Sequence, residues 1–307
     1  MTGQITGPVV AIVGPTAAGK SALSLALARE LGAEVVNADS MQLYRGLDIG
    51  TAKLTPAERA DVPHHVLDIW EVTEPASVAE YQRLARAAVA DIQSRGRVPL
   101  LVGGSGLYVR AVLERFEFPG TDPQLRARLE EELAAVGPAV LHERLRAVDP
   151  VAAANILPGN GRRIVRALEV IELTGRPFTA SLPAPIPYYP SVQIGVDLDT
   201  ALLDERIAKR VDAMWAAGLV EETRALVDCG LRSGRTASRA LGYQQVLRML
   251  DGELTEEQAH DETVRATRRF VRRQRSWFRR DPRVQWLDGA APDLVETALR
   301  LVRSALE

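Results

Sequence analysis

Short apolar runs alternate with helix-like segments over the first third of the chain. Residues 9–13 form an uninterrupted apolar run, and residues 22–31 after it show helical periodicity. Two further buried-strand patterns lie at residues 33–40 and 97–108, and another lies much later, at residues 192–198. Apolar strands separated by helices are typical of a parallel sheet that is covered on both faces. The pattern predicts an α/β fold in which helices flank a parallel sheet.

The middle of the chain is helical throughout. Caps, helical periodicity and glycine stops predict three helices, at residues 122–137, 139–148 and 162–174. A proline-rich stretch at residues 182–190 suits neither a helix nor a central strand, and we interpret it as a linker. We therefore expect residues 118–190 to form a helical insertion domain. Residues 1–117 and 191–307 are expected to form a catalytic core with a helical C-terminal part.

A phosphate-binding loop follows the first apolar run. The sequence GPTAAGKS places Gly14, Gly19, Lys20 and Ser21 at the spacing Gly-x-x-x-x-Gly-Lys-Ser. In this motif the glycines let backbone N–H groups face phosphate oxygens, the lysine adds a positive charge, and the serine hydroxyl is a ligand for Mg²⁺. A strand before the motif and a helix after it predict a P-loop NTPase-like sheet. The expected phosphate-binding residues are Gly14, Pro15, Thr16, Ala17, Ala18, Gly19, Lys20 and Ser21.

Polar residues follow two of the other predicted strands. Asp39 lies at the end of the second strand, and ligands of parallel sheets bind beyond the carboxyl ends of the strands. We therefore expect Asp39 to face the bound phosphates, with a turn cap as the alternative. The strand at residues 97–108 ends in Gly103, Gly104 and Ser105, where a nucleotide hydrolase would carry an acidic residue for Mg²⁺. This argues against an ATPase, although Asp68 is an alternative source of that acid.

The last long helix, expected at residues 256–280, has an arginine-rich face. At 100° per residue, one narrow stripe contains Arg265, Arg268, Arg272, Arg275 and Arg279. The opposite half of the helix is apolar, and we expect its Trp277 and Phe278 to lie in the core. Solvated charged faces normally mix Glu with Arg, whereas residues 263–280 contain no acid. The stripe predicts contacts with nucleic-acid phosphates, with a solvated face as the alternative.

Composition excludes several classes of protein. The chain has 307 residues, of which 46% are hydrophobic and 25% charged, and a net charge of −2. No apolar run approaches the roughly 18 residues of a membrane span, so we expect a cytoplasmic protein that does not bind membranes. The single cysteine, Cys229, allows no internal disulfide and is expected to be buried. The near-neutral charge favours a monomer.

Several motifs together resemble one enzyme family. In chain order they are GPTAAGKS, NADSMQLYRGLDIGTAK, PHHVLDI, LLVGGSGLY, RRIVRALEV, SRALGYQQ and TRRFVRRQRSWFRRDPRVQWLD. Over residues 8–288 the chain closely resembles the tRNA dimethylallyltransferase family, which modifies adenosine 37 beside the anticodon. The resemblance implies that the loop holds the diphosphate of dimethylallyl diphosphate with Mg²⁺, rather than ATP. It implies tRNA as the second substrate, bound through its anticodon stem-loop.

The resemblance also implies roles for individual residues. Asp39 corresponds to a general base for the N6 amine, and Lys20 and Arg224 to cations at the leaving diphosphate. Ser105 stands where many members of the family have threonine, and it is expected at the reacting base. The implied tRNA contacts are Asp39, Ser40, Met41, Gln42, Ser105, Arg126, Arg162, Arg163, Ile164, Val165, Arg166, Arg239, Ala240, Leu241, Gly242, Tyr243 and Gln244. The arginine stripe adds Arg265, Arg268 and Arg272 as contacts with the anticodon stem.

Two other functions remain open at the level of the sequence. A P-loop small-molecule kinase would share the fold, the loop and Mg²⁺, but it has no use for a stripe of arginines. A non-catalytic RNA-binding module would use the arginines, but it has no use for Asp39 beside an intact phosphate loop.

Overall fold

The chain divides into two compact units. The computed structural model of the protein describes residues 7–115, 118–178 and 185–306. One unit comprises Met1–Arg115 and Pro187–Glu307, and the other comprises Phe116–Ile186. The predicted insertion, residues 118–190, covers nearly the same residues as the second unit but extends into the first from Pro187 onward. Residues 182–184 of the predicted linker lie outside the described residues.

A parallel sheet forms the centre of the first unit. Within the described residues its strands are β1 (Val9–Val13), β2 (Glu34–Asn37), β3 (His64–His65), β4 (Pro99–Val102), β5 (Ser191–Asp197) and β6 (Val284–Asp288). Their spatial order is β3-β2-β4-β1-β5-β6, and every neighbouring pair is parallel. This arrangement confirms the predicted α/β class.

Helices of the first unit cover the sheet and extend the C-terminal part. They are α1 (Lys20–Leu31), α2 (Pro56–Arg59), α3 (Val78–Ser94), α4 (Gly106–Leu113), α8 (Thr200–Ala216), α9 (Leu219–Asp228), α10 (Tyr243–Leu250), α11 (Glu256–Phe278) and α12 (Leu294–Leu306). Alternate residues of β1 belong to two different cores, with Val9, Ala11 and Val13 in one and Val10 and Ile12 in the other. Because side chains alternate across a strand, the two cores lie on opposite faces of the sheet.

The second unit is helical. It contains α5 (Pro123–Val148), α6 (Pro150–Asn155) and α7 (Gly161–Thr174). The backbone of Gly137 leaves the helical region, with φ 81° and ψ 165°, so α5 is two helical segments that meet where the sequence predicts a stop. Leu129, Leu145, Ile164 and Leu168 belong to the buried core of this unit. No helix among the described residues of either unit is long and apolar enough to span a bilayer.

The strand register brings three loops to one edge of the sheet. Ile12 pairs with Val102, and Asn37 pairs with the same residue from the other side. The strands β1, β2 and β4 therefore end at nearly the same level. The segments that follow them, at residues 14–19, 38–42 and 103–105, begin side by side at the carboxyl edge, which is where parallel sheets bind ligands.

A buried acid at the opposite end of β2 binds basic side chains. The side chain of Glu34 is 2% exposed; its Oε2 accepts hydrogen bonds from Arg95 Nη2 at 2.8 Å and is 2.7 Å from His65 Nε2. The hydrogen bonds from Arg95 are the main reason why the pKa of Glu34 falls from 4.5 to about 2. Because the ionised form is favoured in the folded state, this contact stabilises the fold above pH 4.5 and its contribution is lost as the pH falls towards 2.

We expect Glu34→Gln to lower the free energy of unfolding by about 2 kcal/mol at pH 7, because Arg95 and His65 lose a charged partner. The difference from the wild type should shrink below pH 4.5. Chemical denaturation of both proteins from pH 7 to pH 3 measures it. A difference that is independent of pH would show that the carboxylate charge is not what stabilises this corner.

Candidate functional site

The phosphate loop has the conformation that its sequence predicts. Gly14 has a φ of 130°, and a Cβ atom there would lie 2.2 Å from the carbonyl oxygen of Val196, so only glycine fits. Ala17 and Gly19 also have positive φ values, 65° and 105°. No side chain caps the N-terminus of α1, which begins at Lys20. The first N–H groups of this helix therefore face the loop and favour an anion there.

A pocket of about 350 Å³ opens beside this loop. It is lined by Ala17, Gly19, Lys20, Ser21, Ala22, Ala52, Lys53, Leu54, Glu58 and Arg210. Two of the cations that line it, Lys20 and Arg210, are close enough for each to be affected by the carboxylate of Asp39. The pocket thus combines backbone N–H groups with three cationic side chains and one acid, Glu58, and the nearby carboxylate of Asp39 acts on two of the cations. This combination suits a polyanion whose reaction needs a nearby base.

The side chain of Lys20 folds back over the phosphate loop and binds its backbone. Its Nζ donates a hydrogen bond of 2.7 Å to the carbonyl oxygen of Pro15. Burial lowers the pKa of Lys20 from 10.5 to about 8, an effect that Asp39 opposes and Arg210 reinforces. The ammonium is therefore poorly solvated, and a bound anion would gain more from it than from an exposed lysine.

Arg210 is the cation that sequence reasoning missed. It lies on α8, donates a hydrogen bond to the carbonyl oxygen of Thr51 at 3.0 Å, and has a pKa lowered by burial. The predicted Arg224 is instead on α9, 58% exposed and paired with Glu221 at 3.4 Å, and it does not line the pocket. The expected position of Arg224 is therefore corrected, because Arg210 and not Arg224 lines the pocket. A usable signal was present, because Arg210 continues the apolar helical stripe of Leu203 and Ile207.

Asp39 and Ser105 meet at the carboxyl edge, as predicted. Oδ1 of Asp39 accepts a hydrogen bond of 2.9 Å from the Met41 N–H, so this residue also caps a turn. Within the described residues, no hydrogen bond involves the other carboxylate oxygen of Asp39. Ser105 Oγ accepts a hydrogen bond from the Ser40 N–H at 3.0 Å and donates to Ser40 Oγ at 3.1 Å. One oxygen of Asp39 thus fixes its orientation and the other is available for a proton.

The loop at residues 48–53 closes one side of the pocket, and its Lys53 engages two nearby acids. The buried Nζ of Lys53 lies 2.6 Å from Asp48 Oδ1 and 2.5 Å from Asp68 Oδ1. Asp68 is therefore engaged by a lysine rather than free at the pocket. The side chain of Gln42 donates to the carbonyl oxygen of Thr51 at 3.2 Å, which ties this loop to the Asp39 turn.

Of the predicted RNA contacts in the first unit, some are buried. Arg239 and Gln244 are exposed and Leu241 is half-buried, whereas Ala240, Gly242 and Tyr243 are buried. The Tyr243 hydroxyl donates to Glu222 at 2.5 Å and accepts a hydrogen bond from the Gly50 N–H at 3.1 Å. Its side chain therefore braces the loop at residues 48–53. The side chains of Ala240 and Tyr243 are buried and do not present a surface to RNA, so the predicted contact of this segment depends on its exposed residues.

The predicted RNA contacts in the second unit are likewise divided between exposed and buried residues. Arg162 and Arg163 are exposed at the start of α7, whereas Ile164 and Val165 lie in the core and cannot present side chains to RNA. The predicted contacts Arg126 and Arg166 both lie against the buried carboxylate of Glu169, at 3.2 and 2.8 Å. Arg166 also donates to the carbonyl oxygens of Pro119 and Gly120. These two arginines therefore stabilise the second unit by neutralising Glu169, whether or not they also contact RNA.

The arginine face of α11 is rotated from its predicted position. Arg275 and Arg279 pair with Asp197, both Arg268 contacts are to Asp204, and Trp277 is 36% exposed rather than in the core. Phe278 is buried as expected, and Cys229 is exposed, contrary to expectation. The exposed arginines of this helix and its C-terminal end are Arg265, Arg269, Arg272, Arg273, Arg279 and Arg280. The basic surface is therefore retained. It keeps Arg265, Arg272 and Arg279 of the predicted stripe and adds Arg269, Arg273 and Arg280.

Comparisons with known proteins agree on one family. The family model described as IPP transferase matches residues 42–281. The tRNA dimethylallyltransferase of Salinispora tropica is 81% identical over 97% of this chain and 94% of its own length, and that of Streptomyces avermitilis is 69% identical over 94% and 92%.

Solved structures agree with the sequence relatives. The full-length tRNA isopentenylpyrophosphate transferase of Bacillus halodurans has a TM-score of 0.74 and 42% identity, covering 97% of this chain and 96% of its own. A eukaryotic dimethylallyltransferase acting on tRNA has a TM-score of 0.82 and 26% identity, covering 97% of this chain and 77% of its own.

The two candidate arginines can be separated by anion binding. We expect Arg210→Ala to weaken the binding of inorganic pyrophosphate about 30-fold, because a charge-assisted hydrogen bond in a buried pocket is lost. Arg224→Ala, on the exposed face of α9, should bind pyrophosphate within about twofold of the wild type. Isothermal titration calorimetry measures both. The reverse ranking would contradict the correction.

The pKa of Lys20 predicts a pH dependence of the same binding. The ammonium is charged below a pH of about 8 and neutral above it in the unliganded protein. The ratio of pyrophosphate affinities, wild type to Lys20→Met, should therefore fall as the pH rises through 8; taking the ratio cancels the titration of pyrophosphate itself. A ratio that is constant from pH 7 to pH 9.5 would contradict a poorly solvated ammonium.

Proposed function

The chain is a prenyltransferase of the tRNA dimethylallyltransferase family, and we propose that it alkylates the N6 amine of adenosine 37 with dimethylallyl diphosphate. The observation that carries this proposal is a pocket lined by the phosphate loop, Lys20 and Arg210, with the carboxylate of Asp39 close enough to act on both cations. The two cations suit a diphosphate that must leave, and the carboxylate suits an amine that must lose a proton.

The donor half of the site stabilises the leaving group. The N–H groups at the start of α1 and the ammonium of Lys20 face the phosphate loop, and Arg210 lies across the pocket. As the bond between the allylic carbon and the diphosphate oxygen breaks, negative charge accumulates on the diphosphate. Donors that are already fixed in position stabilise that charge without reorganising. These residues therefore lower the barrier for departure of the diphosphate.

The acceptor half supplies the base. The N6 nitrogen forms a bond to the allylic carbon, diphosphate leaves with the electron pair of the broken C–O bond, and one amine proton passes to Asp39. The Met41 N–H holds Oδ1 of that residue, so the other oxygen takes the proton. The Ser40–Ser105 hydrogen bonds join the Asp39 turn to the end of β4, and we propose that the Ser105 hydroxyl contacts the adenine edge.

The residues at the loop fit a magnesium ion held mainly by its substrate. Ser21 lines the pocket and carries a hydroxyl, the protein donor that such a loop contributes. Within the described residues no cluster of three or more His, Cys, Asp or Glu could hold a metal. Mg²⁺ commonly takes one or two protein ligands and otherwise substrate phosphate oxygens and water, which agrees with this set. When bound, the ion would neutralise part of the diphosphate charge.

The tRNA is the larger substrate, and its reactive base must leave the stack to reach the pocket. Phosphate contacts position a nucleic acid without reading its sequence, and arginine is well suited to them. The exposed arginines of α11 offer such contacts in the first unit, and Arg162 offers one in the second. We propose that both surfaces bind the anticodon stem-loop.

A transfer assay distinguishes the proposed reaction from its alternatives. The protein is incubated with Mg²⁺, unmodified tRNA and either labelled dimethylallyl diphosphate or labelled ATP. We expect label from the prenyl donor in the tRNA. Label passing from ATP to a small acceptor would indicate a kinase, and tight binding of tRNA without transfer would indicate a binding module.

The role of Asp39 is tested by Asp39→Asn, because asparagine keeps an oxygen to accept from the Met41 N–H but cannot act as a base. We expect kcat to fall about 1000-fold, as for loss of a general base. Affinity for tRNA should stay within about threefold, and pyrophosphate should bind as well as or better than in the wild type because a negative charge is removed. Loss of tRNA affinity with kcat retained would show that Asp39 positions the RNA instead.

A further inference from the structure

One buried amide joins two loops of the site. Gln274 on α11 is 6% exposed, and its Oε1 accepts a hydrogen bond of 2.9 Å from the backbone N–H of Thr16 in the phosphate loop. Its Nε2 donates a hydrogen bond of 3.0 Å to the carbonyl oxygen of Gly104. The amide oxygen thus binds the phosphate loop, and the amide nitrogen binds the segment that carries Ser105. Glutamine is uncharged at neutral pH and offers a donor and an acceptor at the end of one side chain, which this bridge requires.

The glycines after β4 leave room for this helix. A Cβ atom on Gly104 would lie 2.2 Å from Gln274 Nε2, and one on Gly106 would lie 1.9 Å from Trp277 Nε1. The two side chains are one helical turn apart on α11, so they fill the space that side chains of residues 104 and 106 would occupy. The small residues at the end of β4 are thereby explained by contact with α11 and not only by approach to a ligand.

The contact also removes one donor from the phosphate loop. The N–H of Thr16 is predicted to face phosphate, but it is directed to Gln274. The diphosphate is therefore held by the later N–H groups of the loop, by Lys20 and by Arg210. The Thr16 N–H serves instead to keep the loop in register with the strand end that carries Ser105.

We propose that Gln274 is a positioning residue that sets the distance between the leaving diphosphate and the adenine amine. This inference rests on the proposed function, since it assigns the diphosphate to the phosphate loop and the base to the Asp39–Ser105 side. Breaking the bridge would let the two loops shift independently while each still binds its own substrate. A displacement of about 1 Å between reacting groups costs on the order of 100-fold in rate.

The variant Gln274→Met tests this proposal, because methionine has nearly the same length and forms neither hydrogen bond. Gln285→Met is the matched control, since that side chain is exposed on β6 of the same unit. Single-turnover rates and KM for both substrates are measured for the wild type and both variants, per active molecule counted by pyrophosphate titration. Selective ¹⁵N-threonine labelling reports hydrogen exchange at Thr16.

We expect Gln274→Met to lose about 100-fold in rate, with both KM values within about threefold and Thr16 exchange at least about tenfold faster. Gln285→Met should match the wild type. A purely structural role would lower the thermal midpoint and the active fraction while leaving the rate per active molecule unchanged, which would overturn the proposal. If the wild type is active and Gln274→Met is equally fast, the proposal for Gln274 is overturned while the proposed function stands. If the wild type transfers no prenyl group, the proposed function is refuted as well.

Discussion

The parallel register of three strands is the constraint on which the site depends. Because β1, β2 and β4 end level with one another, the phosphate loop, the Asp39 turn and the segment at residues 103–105 start at one edge of the sheet. None of these segments could form the site alone, since each contributes a different group. Hydrogen bonds between the loops, through Ser105 and through Gln274, then fix their spacing. The sheet sets the coarse geometry and these side chains set the fine geometry.

Electrostatics give this edge its chemical character. Lys20 and Arg210 line the same pocket, and burial there lowers the pKa of both side chains. A bound anion would offset the repulsion between Lys20 and Arg210, so a ligand of high negative charge would gain the most binding energy. Asp39 partly offsets the cations without occupying the pocket. The same carboxylate therefore serves the charge balance of the protein and the proposed proton transfer.

Short sequence motifs predicted the features that depend only on neighbouring residues. The phosphate loop, the position of Asp39 and the break at Gly137 each depend on a few consecutive residues, and the structure has them where expected. Arg210 was missed because its place at the pocket depends on α8 packing beside Thr51, which is far away in sequence. A wheel of α11 alone could not show that Asp197 binds two arginines of the stripe. Burial of side chains within a matching motif, as at Tyr243, likewise depends on tertiary packing.

The most direct test of the central claim is to locate the new bond in the product. After a single turnover with labelled dimethylallyl diphosphate, the tRNA is digested and the labelled nucleoside is isolated and identified by mass spectrometry. We expect one labelled species, an adenosine alkylated at N6 that derives from position 37. Label on another atom or at another position, or recovery of phosphorylated rather than prenylated product, would contradict it.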